Sequence, residues 1–277
     1  MTGRRAGALV VVATPIGNLG DLSPRAVEAL RAAALILCED TRHSRPLLDR
    51  AGANGRAISC HAHNETERVD EVLAALERGE RVALVTDAGA PAVSDPGGRI
   101  VEAVAARALT VEVVPGPSAL VAALMGAGLD TARFSFLGFL PRRGRARRAL
   151  FADVVRAGFA AVLYESPARV ADTLADLHQA FGARRVVVAR ELTKLHETFH
   201  RGVLGGPLSP PFVEKGEVVI VVEAAEAQAA VEEVDVAAVA RDATLSPKER
   251  ARRIAAASGM TVREAYALVT NRDEGAR

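Results

Sequence analysis

The sequence predicts an α/β protein. Three observations carry that reading. Short runs of Val, Leu, Ile and Ala alternate with amphipathic helical patterns. The apolar fraction is 49 % while aromatics are 4 %, with no Trp, so the core is aliphatic, as in buried strands flanked by helices. Finally, nearly every Gly-, Pro- or acid-rich segment follows the end of a predicted strand.

Along the first half, strands are predicted at residues 9–13, 34–38, 56–59, 82–86 and 111–114, with helices at 24–33, 42–51, 66–78 and 98–107 between them. Ser23-Pro24 is a helix start, with Ser as N-cap and Pro in the first turn. Val69, Val72, Leu73 and Leu76 recur at helical spacing and define one apolar face. Strand–helix–strand repetition implies a parallel sheet with right-handed crossovers. A second such region has strands at 160–164, 185–189 and 216–223 and a helix at 167–180. Residues 207–211 (PLSPP) read as a loop. Pro115-Gly116-Pro117 marks the joint between the halves. Residues 225–234 are Ala/Glu-rich and read as a linker, followed by helices at 246–257 and 261–270. The expected domains are therefore residues 8–117 and 118–225, with a helical tail at 235–277.

Composition excludes several classes. The chain has 277 residues and a net charge of +1, with 32 Arg against 3 Lys, so charge balance alone selects no partner. Two Cys, neither in a C-x-x-C pair, exclude a disulfide framework and a Cys-based zinc site. No apolar stretch reaches transmembrane length, and the run from Ala8 is too short for a secretory signal, so a cytoplasmic location with no membrane partner is expected. The dinucleotide pattern G-x-G-x-x-G and the P-loop are absent.

In open parallel sheets, ligands bind at the carboxyl edge of the strands. Seven specialised segments fall there: Thr14–Asp21, Glu39–Arg42, His61–Glu65, Asp87–Gly97, Pro115–Ser118, Glu165–Pro167 and Arg190–Lys194. They offer backbone amides, small residues and carboxylates, a set suited to a flat, polar, zwitterionic ligand.

These same segments resemble a known motif series. The order Ala13–Leu19, Glu39–Arg42, His61–Glu65, Asp87–Gly97, Pro115–Ala119, Tyr164–Pro167 and Arg190–Glu197 is similar to that of the bacterial small-subunit ribosomal RNA cytidine ribose 2′-O-methyltransferases, within the tetrapyrrole methylase superfamily. The resemblance runs from about residue 8 to 225 and departs at Cys60, Ala90 and Ala168. It implies a two-domain tetrapyrrole methylase-type fold with parallel or mixed sheets, S-adenosylmethionine in the cleft, a homodimer, and a substrate in 16S ribosomal RNA near the decoding centre, within the assembled 30S subunit.

Candidate roles follow from that chemistry. Pro15 and Gly17 let backbone approach the donor closely. By the family pattern, Asp87, Ala88 and Gly89 line its amino-acid end, with Ser94 nearby. Ser118, Ala119, Tyr164 and Glu165 complete the pocket. A ribose hydroxyl is a poor nucleophile, so a proton acceptor is expected among Asp40, His63, Glu65 and Glu197. Lys194 is a candidate for stabilising a developing alkoxide or contacting phosphate. No metal set stands out; His61 and His63, two apart, are poor co-ligands on a strand. Arg142, Arg143, Arg145, Arg147 and Arg148 lack an acidic partner nearby in sequence and read, with Arg42, as a phosphate-contacting surface. Lys248 and Arg252 add a second basic strip, accompanied by Arg250 and Arg253. Two alternatives remain: a methylase of the same fold acting on a corrinoid or other small molecule, and a non-enzymatic RNA-binding assembly factor.

Overall fold

A computed structural model describes residues 7–142, 144–224, 239–240, 242, 244–258 and 261–274. The chain divides into two compact units, Met1–Ala224 and Ala225–Arg277.

The first unit opens with β1 (Ala8–Val12), α1 (Pro24–Ala32), β2 (Leu35–Cys38), α2 (Thr41–Ala51), β3 (Arg56–Ser59), α3 (Glu65–Glu77), β4 (Arg81–Leu84), α4 (Gly98–Ala106) and β5 (Thr110–Val114). These strands form one parallel sheet in the order β3-β2-β4-β1-β5. Strand side chains alternate between faces. Val10, Val12 and Ile36 pack under α1 and α2 with Leu30 and Leu48; Leu9, Leu35 and Leu37 pack on the other face with Leu73, Leu76 and Ile100 of α3 and α4. Ser23 does cap α1, its Oγ accepting the Ala26 N–H at 3.1 Å. Asp40 caps α2 in the same way through the Arg42 N–H at 2.8 Å.

The same unit continues with α5 (Ala119–Ala127), β6 (Phe134–Phe139), α6 (Arg145–Ala157), β7 (Ala160–Glu165), α7 (Val170–Phe181), β8 (Arg185–Arg190), β9 (Thr198–Val203), β10 (Leu208–Ser209) and β11 (Val218–Val222). Their sheet has the order β10-β9-β8-β11-β7-β6. Only β6 and β7 pair in parallel; β7-β11, β11-β8, β8-β9 and β9-β10 are antiparallel, so this sheet is mixed. Its central strand β11 is buried along its whole length. Inside the expected 207–211 loop, Leu208 and Ser209 form the short β10.

The second unit contains α8 (Pro247–Ser258) and α9 (Val262–Glu274), joined through a small core of Ala251, Ile254, Ala265 and Val269. Ser246 and Glu249 start α8 as a reciprocal capping pair: Glu249 N–H donates to Ser246 Oγ at 3.3 Å, and Ser246 N–H donates to Glu249 Oε2 at 3.1 Å. The expected linker at 225–234 lies outside the described residues.

Candidate functional site

The carboxyl ends of β1, β4 and β5 converge because these three strands are neighbours in the first sheet. Segments at one edge of the second sheet face them: the ends of β6, β7 and β8 and the start of the antiparallel β11. Together they line an open cavity of about 420 Å³. Ile16, the Asp87–Ala90 and Val93–Asp95 stretches, Ser118 and Ala119 wall it from the first half and from the start of α5. Phe139, Tyr164–Pro167, Leu192 and Gly216–Val219 wall it from the second.

Close backbone approach builds the first wall. Thr14 N–H donates to Gly89 O at 2.8 Å and Gly89 N–H returns to Thr14 O at 3.2 Å, which ties the β1 loop to the β4 loop. Gly89 has φ +91°, a conformation that a side chain disfavours. Beyond it the loop turns through two non-glycine residues in the left-handed region, Ala92 at φ 64° and Ser94 at φ 66°. Each costs about 1 kcal/mol. Glu65 anchors the end of this loop: its buried carboxylate accepts the N–H groups of Gly97 at 3.1 Å and Arg99 at 2.7 Å, at the start of α4.

A buried polar network supports the second wall. Glu165 accepts the Ser166 N–H at 2.8 Å and the Thr173 hydroxyl at 2.7 Å, and its Oε1 lies 3.3 Å from Arg169 Nε. Arg147 donates to Thr173 Oγ1 at 3.1 Å and pairs with Asp176 at 2.8 Å. Tyr164 packs edge-on against Phe136 and Phe139.

The cavity is acidic. Burial, with Glu39 and Asp87 beside it, pushes the Asp95 carboxyl up to about 6. Burial likewise raises Glu39, with Asp87 adding to the shift. Burial raises Tyr164, although the Leu120 backbone and the Ser118 hydroxyl oppose it. A cation placed here would relieve this repulsion.

Of the expected donor-binding residues, Asp87, Ala88, Gly89, Ser94, Ser118, Ala119, Tyr164 and Glu165 line the cavity. Pro15 and Gly17 do not; Ile16 between them does. The Lys194 stem crosses Gly17 where a Cβ would stand, so this glycine accommodates a side chain of its own protein. Asp95, Phe139, Leu192 and the start of β11 also line the cavity and were not singled out from the sequence. Asp95 carried a signal there, sitting in the same Asp87–Gly97 segment.

The expected catalytic groups are placed otherwise. Asp40, His63, Glu65 and Lys194 do not line the cavity. The loops after β2 and β3 carry the first three, and those strands lie on the far side of β4 from β1 and β5. Glu65 is corrected to a buried helix cap, its Oε1 engaged by backbone donors. Hydrogen bonds from Arg42 hold Asp40 at about 2, too acidic to accept a proton well near neutral pH. Its own N–H donates to Asp87 Oδ1 at 3.3 Å, so the Asp40 loop borders the cavity. His63 is exposed and meets the His61 ring edge-on. Glu197 is engaged by the Thr193 N–H at 2.6 Å. Burial opposes the charge on Lys194, but hydrogen bonds to Glu217 and Glu191, each 2.9 Å long, outweigh it and raise the ammonium above its ordinary value. It is a paired cation behind Glu217.

The arginine run divides as well. Arg142, Arg145 and Arg148 are exposed. Arg147 is 4 % exposed and pairs with Asp176, so it is corrected to a structural cation whose acidic partner lies one helix away. Arg143 lies outside the described residues. Between α6 and α7 opens a second hollow of about 1190 Å³ with Arg142, Arg148, Arg156 and Arg169 on its walls beside Asp172 and Asp176. Arg42 is exposed and paired with Asp40 at 3.0 Å. In the second unit Lys248, Arg252 and Arg253 are exposed, whereas Arg250 is buried and donates to Ala240 O at 2.8 Å.

Comparison with known proteins gives a consistent picture. A family model of the tetrapyrrole (corrin/porphyrin) methylases matches residues 8–207. A Xylella fastidiosa protein described as ribosomal RNA small subunit methyltransferase I is 46 % identical over 231 residues, covering 80 % of this chain and 83 % of its own length. A Synechocystis protein of the same description is 48 % identical over 199 residues, 72 % of this chain and 71 % of its own. Among solved structures, a uroporphyrin-III-C-methyltransferase from Thermus thermophilus superposes with a TM-score of 0.56 at 19 % identity, over 78 % of this chain and 94 % of that one. At that identity the likeness speaks for the fold alone.

Proposed function

The chain belongs to the tetrapyrrole methylase family, among its ribosomal RNA small subunit methyltransferase I members, and from that premise we propose that this S-adenosylmethionine-dependent ribosomal RNA methyltransferase acts on the ribose 2′-oxygen of a cytidine near the decoding centre of 16S RNA. The observation that carries the reading is the cavity. Its volume of about 420 Å³ falls in the range of small-molecule sites. Asp87, with the acidic field of the cavity behind it, suits a cationic group of the donor. Ile16, Ala119, Leu192 and Val219 supply apolar faces for its adenine. When bound, the donor supplies an electrophilic methyl group.

The protein's own contribution is orientation. An in-line displacement depends on reactants held at contact distance, and walls fixed by the Thr14–Gly89 pairing and the Glu165 network resist displacement. The loop of Asp40 and Arg42 borders the cavity and would present the acceptor nucleotide. The exposed arginines of the α6–α7 hollow would hold its flanking phosphates. Lys248 and Arg252 would add contacts from the second unit. Val113 on edge strand β5 and Val121 and Met125 on α5 are exposed apolar groups that a second copy would cover in a homodimer. No helix among the described residues is long and apolar enough to cross a membrane. A cytoplasmic enzyme working on the assembled 30S subunit fits this picture.

Labelled donor offered with small subunits, with naked 16S RNA and with a corrinoid separates the readings. Incorporation into RNA supports the proposal; incorporation into the corrinoid alone supports a small-molecule methylase; none anywhere supports an RNA-binding assembly factor. The phosphate surface has its own expected result. RNA affinity should fall steeply with salt, and in an Arg142→Ala, Arg148→Ala double variant the log–log slope should be shallower by about 1–2. An unchanged slope removes these arginines from the interface.

A further inference from the structure

We infer that Asp95 is the catalytic base, taking the proton from the ribose 2′-hydroxyl as that oxygen attacks the methyl group. This inference rests on the ribose-methylation reading above. Four carboxylates line the cavity: Asp87, Asp95, Glu165 and Glu217. Glu165 and Glu217 are held by protein partners, and Asp87 is assigned to the donor's cationic groups on the reading above. Glu165 accepts from Ser166 N–H and Thr173 and faces Arg169. Glu217 receives Lys194 Nζ at 2.9 Å. Asp87 receives the Asp40 N–H. Asp95 has no hydrogen-bond or ion-pair partner among the described residues, so its lone pairs remain available.

The backbone aims it. Ala92 and Ser94 flank the turn in left-handed conformations, and Ala92 N–H donates to Pro96 O at 3.2 Å, closing the loop around Asp95. Glu65 pins the following turn at Gly97 and Arg99. On the other side, Gly138 of β6 leaves room for the Ser94 hydroxyl, 2.8 Å from where a Cβ would stand. Strained residues held by several clamps are characteristic of positions where one side chain must be aimed. Fixation from both halves suits a group that must meet the acceptor oxygen within hydrogen-bond reach.

The step balances. The 2′-oxygen uses a lone pair to form the new C–O bond. The C–S bond breaks with its pair going to sulfur, which becomes a neutral thioether. The hydroxyl proton passes to the Asp95 carboxylate. The groups facing Asp95 are Glu39 at the end of β2, Asp87 after β4 and Tyr164 on β7. The two carboxylates, together with burial, put its titration at about 6 in the donor-free protein. A cationic donor favours the ionised form, so in the complex the midpoint moves to about 6 or below. Asp95 is then ionised at neutral pH.

The test combines single-turnover methylation of small subunits between about pH 5 and pH 9 with calorimetric donor binding, for wild type, Asp95→Asn and Asp95→Glu. Wild type is expected to show a rate that rises with pH through a midpoint at about 6 or below and levels at higher pH. Asp95→Asn should lose about 10²–10⁴-fold in rate and lose the rising limb, with donor Kd raised by no more than about tenfold, far less than the rate falls. Asp95→Glu should keep the limb at a reduced rate. The inference is overturned if Asp95→Asn keeps the limb and a rate within about threefold of wild type, or if donor affinity falls as far as the rate, which would make Asp95 a donor contact. A wild-type enzyme that methylates RNA on a base rather than a ribose overturns the functional reading first, and this inference with it.

Discussion

Glu165→Ala should destabilise the protein by about 3 kcal/mol, read as a lower urea midpoint with unchanged slope. Glu165 is 1 % exposed, and its carboxylate organises Ser166 N–H, Thr173 and Arg169. Removing it leaves the Thr173 hydroxyl and the Arg169 guanidinium without their buried acceptor, and Arg147 then leans on a disrupted Thr173. Losing one side of a buried polar network costs more than the net worth of the intact contact, because the Thr173 hydroxyl and the Arg147 guanidinium that leans on it stay buried. Glu165→Gln keeps an acceptor for Thr173 and should cost less than half as much. A Glu165→Ala loss below about 1 kcal/mol would show that water reaches these groups and that the network does not hold the second wall.

Asp87→Ala should weaken donor binding about 10–100-fold by calorimetry, while folding stability changes little. Asp87 is a half-buried carboxylate on the cavity wall, where the proposed site would bring it to a donor with two cationic groups. The half-buried setting favours a value nearer tenfold, since solvent screens part of the interaction. The same substitution removes a negative neighbour of Asp95. With that repulsion gone, the ionised form of Asp95 is easier to reach, its titration moves down towards the ordinary carboxylate value, and the rising limb of the rate moves to lower pH. Unchanged donor affinity in Asp87→Ala would place the donor elsewhere.

How much of this was legible in the sequence differs between the halves. The first half is a regular parallel sheet, and β3 has the bounds expected from the sequence, Arg56 and Ser59. α5 escaped notice because ALVAALMGA is apolar on every side and has no helical period to detect. β6 was hidden by Gly138 and a register shift between Phe136 and Phe139. α6 begins inside the arginine run, which reads as a charged surface rather than a helix start. Strand-end logic located the cavity well, since segments after β1, β4, β5, β7 and β8 line it. It failed for the segments after β2 and β3, because periodicity does not reveal strand order, and these two strands lie at one edge of the sheet. The same blindness to tertiary contact promoted Glu65 to a catalytic candidate and hid Asp176 as the partner of Arg147. Asp95, next to Ser94 in a recognised segment, was missed because freedom from partners is a property of the fold.

On the proposed function, this cavity delivers a methyl group to a ribose oxygen of small-subunit RNA. The most direct test is nuclease digestion and mass spectrometry of 16S RNA from subunits incubated with purified protein and isotopically labelled S-adenosylmethionine. The label is expected in 2′-O-methylcytidine, with the nucleobase unlabelled. Label in a base-methylated nucleoside, or RNA that stays unlabelled while the donor is consumed on a small molecule, would contradict it.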